Sequence, residues 1–229
     1  MNIPFMFDSI AKYYDIANHL TSFGTHLIWK KKMVKESFKF LPNSVEKMLD
    51  IACGTGDIIA FAEKIKPSIE FFGIDPSLEM LKKAQTRLNF VKKLFLIRGF
   101  AENLPFKGEQ FDLITVSFGV RNFSNRRKGF EEIFKVLKPK GVLSILEFSK
   151  PDNGDLLQNL SWLYTKKIVP IVGSVLTQQP EAYKYLVQSI ERFPLPFQLI
   201  HEVESVGFLP LKVKRLFPPI AVLYIFKKP

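Results

Sequence analysis

Between residues 48 and 148 short apolar runs alternate with helix-length amphipathic segments, and that rhythm leaves the chain few folds. Met48-Leu49-Asp50-Ile51-Ala52 reads as a buried strand, and Ile69 to Ile74, Leu94 to Ile97, Asp112 to Ser117 and Val142 to Phe148 repeat the signature. Helical stretches separate them. One follows Asp57 to about Ile65, and one opens at Pro76-Ser77 with Leu78, Leu81 and Leu88 on a face. A third places Phe130, Ile133, Phe134 and Leu137 at i, i+3, i+4, i+7 and is stopped by Pro139 and Gly141. Parallel neighbours need long crossovers, and right-handed crossovers cover both faces of the sheet with helices. The expectation is therefore an α/β fold with a doubly wound, mostly parallel sheet.

Outside that stretch the rhythm changes. Two strands, about 208–216 and 220–227, flank Pro218-Pro219, and so short a joint demands an antiparallel hairpin, expected at the sheet edge and bringing the sheet to seven strands. Residues 155–192 are helical in texture, divided by Pro170 and Pro180, with Leu156, Leu160, Leu163 and Tyr164 on one side. The first 47 residues are helical too: Phe7, Ile10, Ala11 and Tyr14 mark one face, and a lysine-rich helix runs from Trp29 to Phe40.

Charge and composition narrow the partners. Lys and Arg number 33 against 22 Asp and Glu, a net charge of +11, which implies an anionic partner (nucleic acid or a membrane surface) or serves solubility alone. A single cysteine, Cys53, excludes a disulfide framework, and His19, His26 and His201 form no ligand pattern, so no metal is expected. No run approaches the roughly 20 apolar residues that span a bilayer. The N-terminus, with Asp8 and Asp15, lacks a signal-type apolar run, so a cytoplasmic protein is expected. The sequence leaves the oligomeric state open, a homo-oligomer included.

Gly54-Thr55-Gly56 follows the first strand and opens a helix. A dinucleotide fingerprint would need a small residue at position 59, where Ile59 stands, and no P-loop lysine follows. What remains is a loop whose glycines remove Cβ atoms from the path of a ligand. Asp75 ends the second strand, where open α/β sheets bind ligands; its carboxylate either accepts hydrogen bonds from a ribose diol or caps the helix that follows.

LDIACGTGD, FFGIDPSLEMLKKA, AENLPF, FDLITVSFGVRN and KVLKPKGVLSILEFSKP occur in this order. Together they resemble the class I methyltransferases that use S-adenosylmethionine, and more closely the UbiE/MenG family of quinone-ring C-methyltransferases. FDSIAKYYDIANHLTSFGTHLIWKK before the sheet and VPIVGSVL and AYKYLVQSI after it extend the resemblance over nearly the whole chain.

The resemblance implies a Rossmann-like methyltransferase with helical lid elements. Its single domain, residues 1–229, divides into an N-terminal helical lid (1–47), a cofactor-binding core (48–150), a helical insertion (151–195) and C-terminal strands (196–229). It implies S-adenosylmethionine as cofactor, with Gly54, Thr55 and Gly56 at the cofactor loop, Asp75 at the ribose and Ser117 beneath the methyl donor. Phe100-Ala101 falls where the family contacts adenine. Phe100 departs from the usual Asn or Asp there, leaving stacking or Glu102 to compensate. Cys53 replaces a frequent glycine and suits packing under the loop. The implied substrate is a polyprenylated quinol, demethylmenaquinol first, with the methoxy-benzoquinol precursor of ubiquinone as the alternative. A fold-retaining binding protein without catalysis is the rival of another class; the intact glycine loop and Asp75 argue against it.

Methylating an aromatic carbon requires a ring hydroxyl to lose its proton. A guanidinium favours the resulting anion, and Arg121 lies just past the fourth strand, with Asn122 beside it to orient a ring oxygen or a water. Arg121 has a structural alternative, an ion pair with Glu147 or a helix cap. Tyr14, Asp15 and His26 sit on the N-terminal segment expected to cover the pocket, Asp15 as a candidate base; Tyr14 suits a core face equally, and His26 reads first as a satisfied structural histidine. The [DN]-P-P-[YFW] motif of base methylation is absent after the fourth strand, where SFGV stands, and no cysteine nucleophile lies there. Nucleic acid is thus not the expected substrate. The lysines and phenylalanines fit docking on an anionic membrane, peripherally on the inner face of the plasma membrane, through the Trp29–Lys39 helix and the apolar helical region around 156–164 and 168–176.

Overall fold

A computed structural model describes Asp8, His19, Ser22 and residues 24–229 apart from Asn153. The expected helical face on Phe7, Ile10, Ala11 and Tyr14 lies outside the described residues, as does Asp15.

All seven strands form one sheet: β1 (Lys47–Ile51), β2 (Glu70–Asp75), β3 (Leu94–Arg98), β4 (Phe111–Ser117), β5 (Leu137–Phe148), β6 (Leu209–Leu216) and β7 (Ala221–Lys227). Their order is β3-β2-β1-β4-β5-β7-β6. The first five pair in parallel, and β7 runs antiparallel to both β5 and β6. The hairpin is at the edge as expected, but its last strand lies inside. The side chains explain the choice: Ala221 to Phe226 are all buried, whereas β6 carries Lys212, Lys214 and Arg215 on a largely exposed strand. Charged residues at an open edge discourage pairing with another chain.

Alternate strand residues feed two cores. Met48, Leu113, Leu223 and Ile225 meet α1 (Thr25–Phe38), α2 (Asp57–Glu63) and α3 (Leu78–Arg87) through Trp29, Met33, Ile58, Ala84 and Leu88. Leu49, Ile114, Tyr224 and Phe226 meet α4 (Arg126–Val136) and α7 (Pro196–Glu204) through Phe130, Ile133, Leu199 and Val203. Many of the 23 phenylalanines sit in these layers as ring clusters, such as Phe72 with Phe95, Phe106 and Phe111.

Several expected details differ. Leu78 is exposed, and α3 faces inward with Met80, Leu81, Ala84 and Leu88. Helix α4 ends at Val136 and β5 starts at Leu137, because Leu137 pairs with Phe111 before the ladder shifts and Leu113 pairs with Val142. Pro139 and Gly141 are absorbed in that irregularity. Pro170 does not divide the helical region either. Helix α5 (Leu156–Thr177) runs through it, and α6 (Pro180–Arg192) starts on Pro180, where the missing N–H costs no bond.

Helix α1 starts at Thr25, one turn before Trp29, and packs across β5. Its Trp29 Nε1 donates to Phe217 O at 2.7 Å. Ser37 Oγ lies 2.7 Å from Ser144 Oγ and 2.8 Å from Met33 O, so one hydroxyl proton each satisfies this fully buried pair. Ser37→Ala is expected to lower the unfolding free energy by about 1–3 kcal/mol, because Ser144 is stranded, and adding Ser144→Ala should recover most of the loss. Denaturant unfolding of the single and double variants checks both signs.

Candidate active site

Strand order reverses between β1 and β4, which opens a crevice at their carboxyl ends. The chain leaving β1 turns through left-handed backbone at Ala52 (φ 55), Gly54 (φ 54) and Gly56 (φ 84), and the chain leaving β4 does so at Phe118 (φ 56). Non-glycine residues in this region carry strain that the surrounding packing must hold. The two turns touch: a Cβ on Gly119 would lie 2.6 Å from Ala52 Cβ.

The two loop glycines serve different ends. A Cβ on Gly54 would meet nothing within 4 Å, so this backbone faces open space that a ligand can approach. A Cβ on Gly56 would sit 2.6 Å from Leu88 Cδ1. Gly56 thus clears room for Leu88 at the end of α3, a packing role the sequence did not reveal. Cys53 is buried beneath the loop, its Sγ facing Gly73.

Carboxylates ring this loop. Asp75 Oδ2 accepts from Gly54 N at 2.9 Å and Oδ1 from Ser77 N at 2.9 Å. The cap of α3 is Ser77, whose Oγ accepts from Met80 N at 3.1 Å, so capping is not the task of Asp75. Burial pushes the Asp75 carboxyl up to about 6. Asp8 reaches the same turn, accepting from Ser77 Oγ and, at 3.3 Å, from Glu79 N. Asp57 opens α2 between Lys30 Nζ at 2.7 Å and Arg87 Nη2 at 2.6 Å. Burial alone would raise its pKa, and the two cations outweigh that and hold it below the usual range. Arg87 Nη1 also donates to Thr55 Oγ1 at 3.3 Å.

Asp50 was missed from sequence. It sits buried within β1, accepts from Thr115 Oγ1 at 2.7 Å, and burial pushes it up to about 7. The available signal was one acid inside an otherwise apolar strand. His26 Nδ1 lies 2.7 Å from Ser22 Oγ, and burial, with Lys30 adding to it, pushes its pKa down to about 4. Its setting is that of a neutral, satisfied histidine.

At the end of β4, Ser117 Oγ is buried with no hydrogen-bond partner among the described residues. Arg121 follows in a short 3-10 turn, Val120–Asn122. Its Nη1 pairs with Glu147 Oε1 at 2.7 Å and donates to Phe118 O at 2.6 Å, and its guanidinium lies over the Phe148 ring at 5.5 Å. The ion pair posed as the alternative for Arg121 is thus present, and it is deeply buried. Asn122 Oδ1 accepts from Tyr185 Oη at 2.9 Å, a residue of α6 that sequence reasoning did not single out. Phe100 is 55% exposed and Ala101 is buried. Glu102 Oε1 accepts from Ser124 N at 2.6 Å, from Ser124 Oγ and from Asn125 N. Tyr14 and Asp15 fall outside the described residues.

A model of the ubiE/COQ5 methyltransferase family matches residues 2–227. The chain belongs to this family. It is 39% identical over 220 residues to the demethylmenaquinone methyltransferase of Thermotoga maritima, covering 96% of this chain and 93% of that one. With the ubiquinone/menaquinone biosynthesis C-methyltransferase UbiE of Campylobacter jejuni it shares 35% over 228 residues, covering 97% and 96%. A solved SAM-dependent methyltransferase of Thermotoga maritima superposes with a TM-score of 0.67 at 21% identity over 98% of both chains, which speaks for the fold. This methyltransferase thus has the Rossmann-like architecture expected of it. Its residues also fit the cofactor the family implies: Gly54 leaves open the space a Cβ would fill, and Ser117 holds an unpartnered buried hydroxyl.

The raised Asp50 carboxyl has a consequence for stability. The fold keeps its proton up to about pH 7, whereas the unfolded chain releases it near the ordinary aspartate value of 3.8. Stability of the ligand-free methyltransferase should therefore fall as pH rises across that window. Asp50→Asn should remove up to about 1.4 kcal/mol of that loss per pH unit. Chemical denaturation of both proteins at intervals between pH 5 and pH 7 measures the two slopes.

Proposed function

We propose that this methyltransferase transfers a methyl group from S-adenosylmethionine to a ring carbon of a polyprenylated quinol, with demethylmenaquinol as substrate and menaquinol as product. The observation that carries the reading is the family match along residues 2–227, joined to 39% identity with a demethylmenaquinone methyltransferase. The relative from Campylobacter jejuni, named for ubiquinone as well as menaquinone biosynthesis, favours the methoxy-benzoquinol precursor of ubiquinone as the second reading.

Gly54, Thr55 and Gly56 would hold the cofactor from the loop, Asp75 its ribose diol, Phe100 and Ala101 its adenine, and Ser117 the region of the donor. Bound there, S-adenosylmethionine supplies an electrophilic methyl group whose sulfur leaves neutral, so the protein need provide no acid. Each Asp75 oxygen already accepts one backbone N–H and retains a second acceptor site for a hydroxyl. Phe100, lacking a polar group, offers its exposed ring for stacking on adenine.

The acceptor half must favour a phenolate. Arg121 and Glu147 together carry no net charge, so Arg121 acts through directed N–H groups rather than bulk attraction. Its Nε is buried without a partner and is free to donate. Asn122 orients the ring oxygen, and the family resemblance assigns Tyr14 and Asp15 to the same half-reaction, Asp15 as proton acceptor. Arg121→Ala is expected to slow single-turnover methylation of demethylmenaquinol by about 100-fold or more while S-adenosylmethionine affinity, read by calorimetry, stays near that of the parent. A near-normal rate would remove Arg121 from the chemistry. Restoration of menaquinone in a strain lacking its own methyltransferase separates the two substrates.

The quinol's tail resides in the bilayer, and among the described residues no helix is long and apolar enough to cross a membrane. The reading is a cytoplasmic enzyme docked on the membrane surface. Helix α5 supports it: Leu156, Leu160, Leu163, Ile171 and Val175 are all more than half exposed, beside Lys167 and beside Lys166, which pairs with Glu191. Helix α1 offers less, since Trp29 is buried, Lys30 pairs with Asp57 and Lys39 with Glu36. Co-sedimentation with anionic vesicles should fade in salt. It should be weakened far more by Leu160→Glu with Ile171→Glu than by Lys31→Gln with Lys35→Gln. Equal loss in both pairs would reject α5 as the docking face.

A further inference from the structure

We propose that Tyr185 is a positioning residue that fixes the Asn122 amide so that its Nδ2 hydrogens face the methyl acceptor. The proposal rests on the reading of Asn122 as a contact to the ring oxygen. A carboxamide has one accepting and one donating end, and rotation about its last bond exchanges them. Tyr185 Oη donates to Asn122 Oδ1 at 2.9 Å, so the accepting end is engaged and the donating end is left for another oxygen. A donor is what a ring oxygen needs as it becomes anionic. With the ends reversed, Oδ1 would face that oxygen and oppose its charge.

Two features make Tyr185 suited to this. Its helix is fixed: α6 buries Ala182, Tyr183, Val187 and Ile190, and Tyr183 lies so close to α5 that a Cβ on Gly173 would sit 2.1 Å from Tyr183 Cε1. Its phenol also stays a donor. Burial, with Glu147 nearby, pushes its pKa above the ordinary tyrosine value despite Arg121 and Arg192 pulling the other way. Tyr185 lines a pocket of about 140 Å³ with Arg121, Ser189 and Phe193, and its hydroxyl is committed to Asn122.

A double-mutant cycle tests this with S-adenosylmethionine and demethylmenaquinol, read as single-turnover rates. Cofactor affinity and unfolding are measured on each variant, and Tyr185→Phe retains the ring that packs. Asn122→Ala should slow methylation about 100-fold and Tyr185→Phe about ten-fold, neither altering cofactor affinity. The double variant should be no slower than Asn122→Ala, since Tyr185 acts through the amide. Multiplied losses in the double variant would overturn the proposal, and so would a parental rate in Tyr185→Phe. A parental rate in Asn122→Ala would overturn it too, by removing the role of Asn122 while leaving quinol methylation standing. A parent protein that leaves demethylmenaquinol unmethylated would instead reject the substrate reading.

Discussion

Asp75 holds the loop on which the candidate site is built. Its two oxygens accept the Gly54 and Ser77 amides, each at 2.9 Å, so the end of β2 is bound to the turn leaving β1 and to the start of α3. Those amides have no strand or helix partner of their own. A buried carboxylate is costly unless such donors satisfy it, and donors in a turn are costly unless an acceptor reaches them. Each requirement meets the other here. The arrangement also explains the left-handed backbone at Ala52, Gly54 and Gly56, which turns the Gly54 N–H toward Asp75 and leaves its other side open.

Charge is distributed unevenly around the crevice. Asp50, Asp57 and Asp75 lie around the turn leaving β1, with Asp57 balanced by Lys30 and Arg87. Past the end of β4 the buried guanidinium of Arg121 is neutralised by Glu147 at 2.7 Å. The paired guanidinium keeps its remaining N–H groups while contributing no net charge to the crevice. The Lys30–Asp57 pair has a second effect. It ties α1 to the residue after the glycine loop, so the helix preceding the sheet is anchored to the turn that leaves β1.

Local pattern carried much of the architecture. Alternation of residues in β1, β4 and β7 assigns Met48, Leu113 and Leu223 to one core and Leu49, Ile114 and Tyr224 to the other, which a period of two makes readable. Gly54 and Asp75 were readable for a similar reason, because a strand end followed by a glycine turn is a local event. Asp50 escaped because an acid within a buried strand looks like a break in pattern until Thr115 is placed across from it. Pro170 misled, since a helix held by neighbours tolerates a proline that an isolated one would not.

The sequence by itself therefore determined the strand and helix order, the parallel crossovers, the antiparallel hairpin and the place of the glycine loop, all set by residues within a few positions of one another. Only the tertiary structure decided that β7 lies inside β6, that Gly56 makes room for Leu88, that Arg121 pairs with Glu147 and that Tyr185 holds Asn122. The last two pairs are separated by 26 and 63 residues along the chain. Such contacts are chosen by which buried groups can satisfy one another once helices and strands have packed, and periodicity within one segment holds no record of that choice.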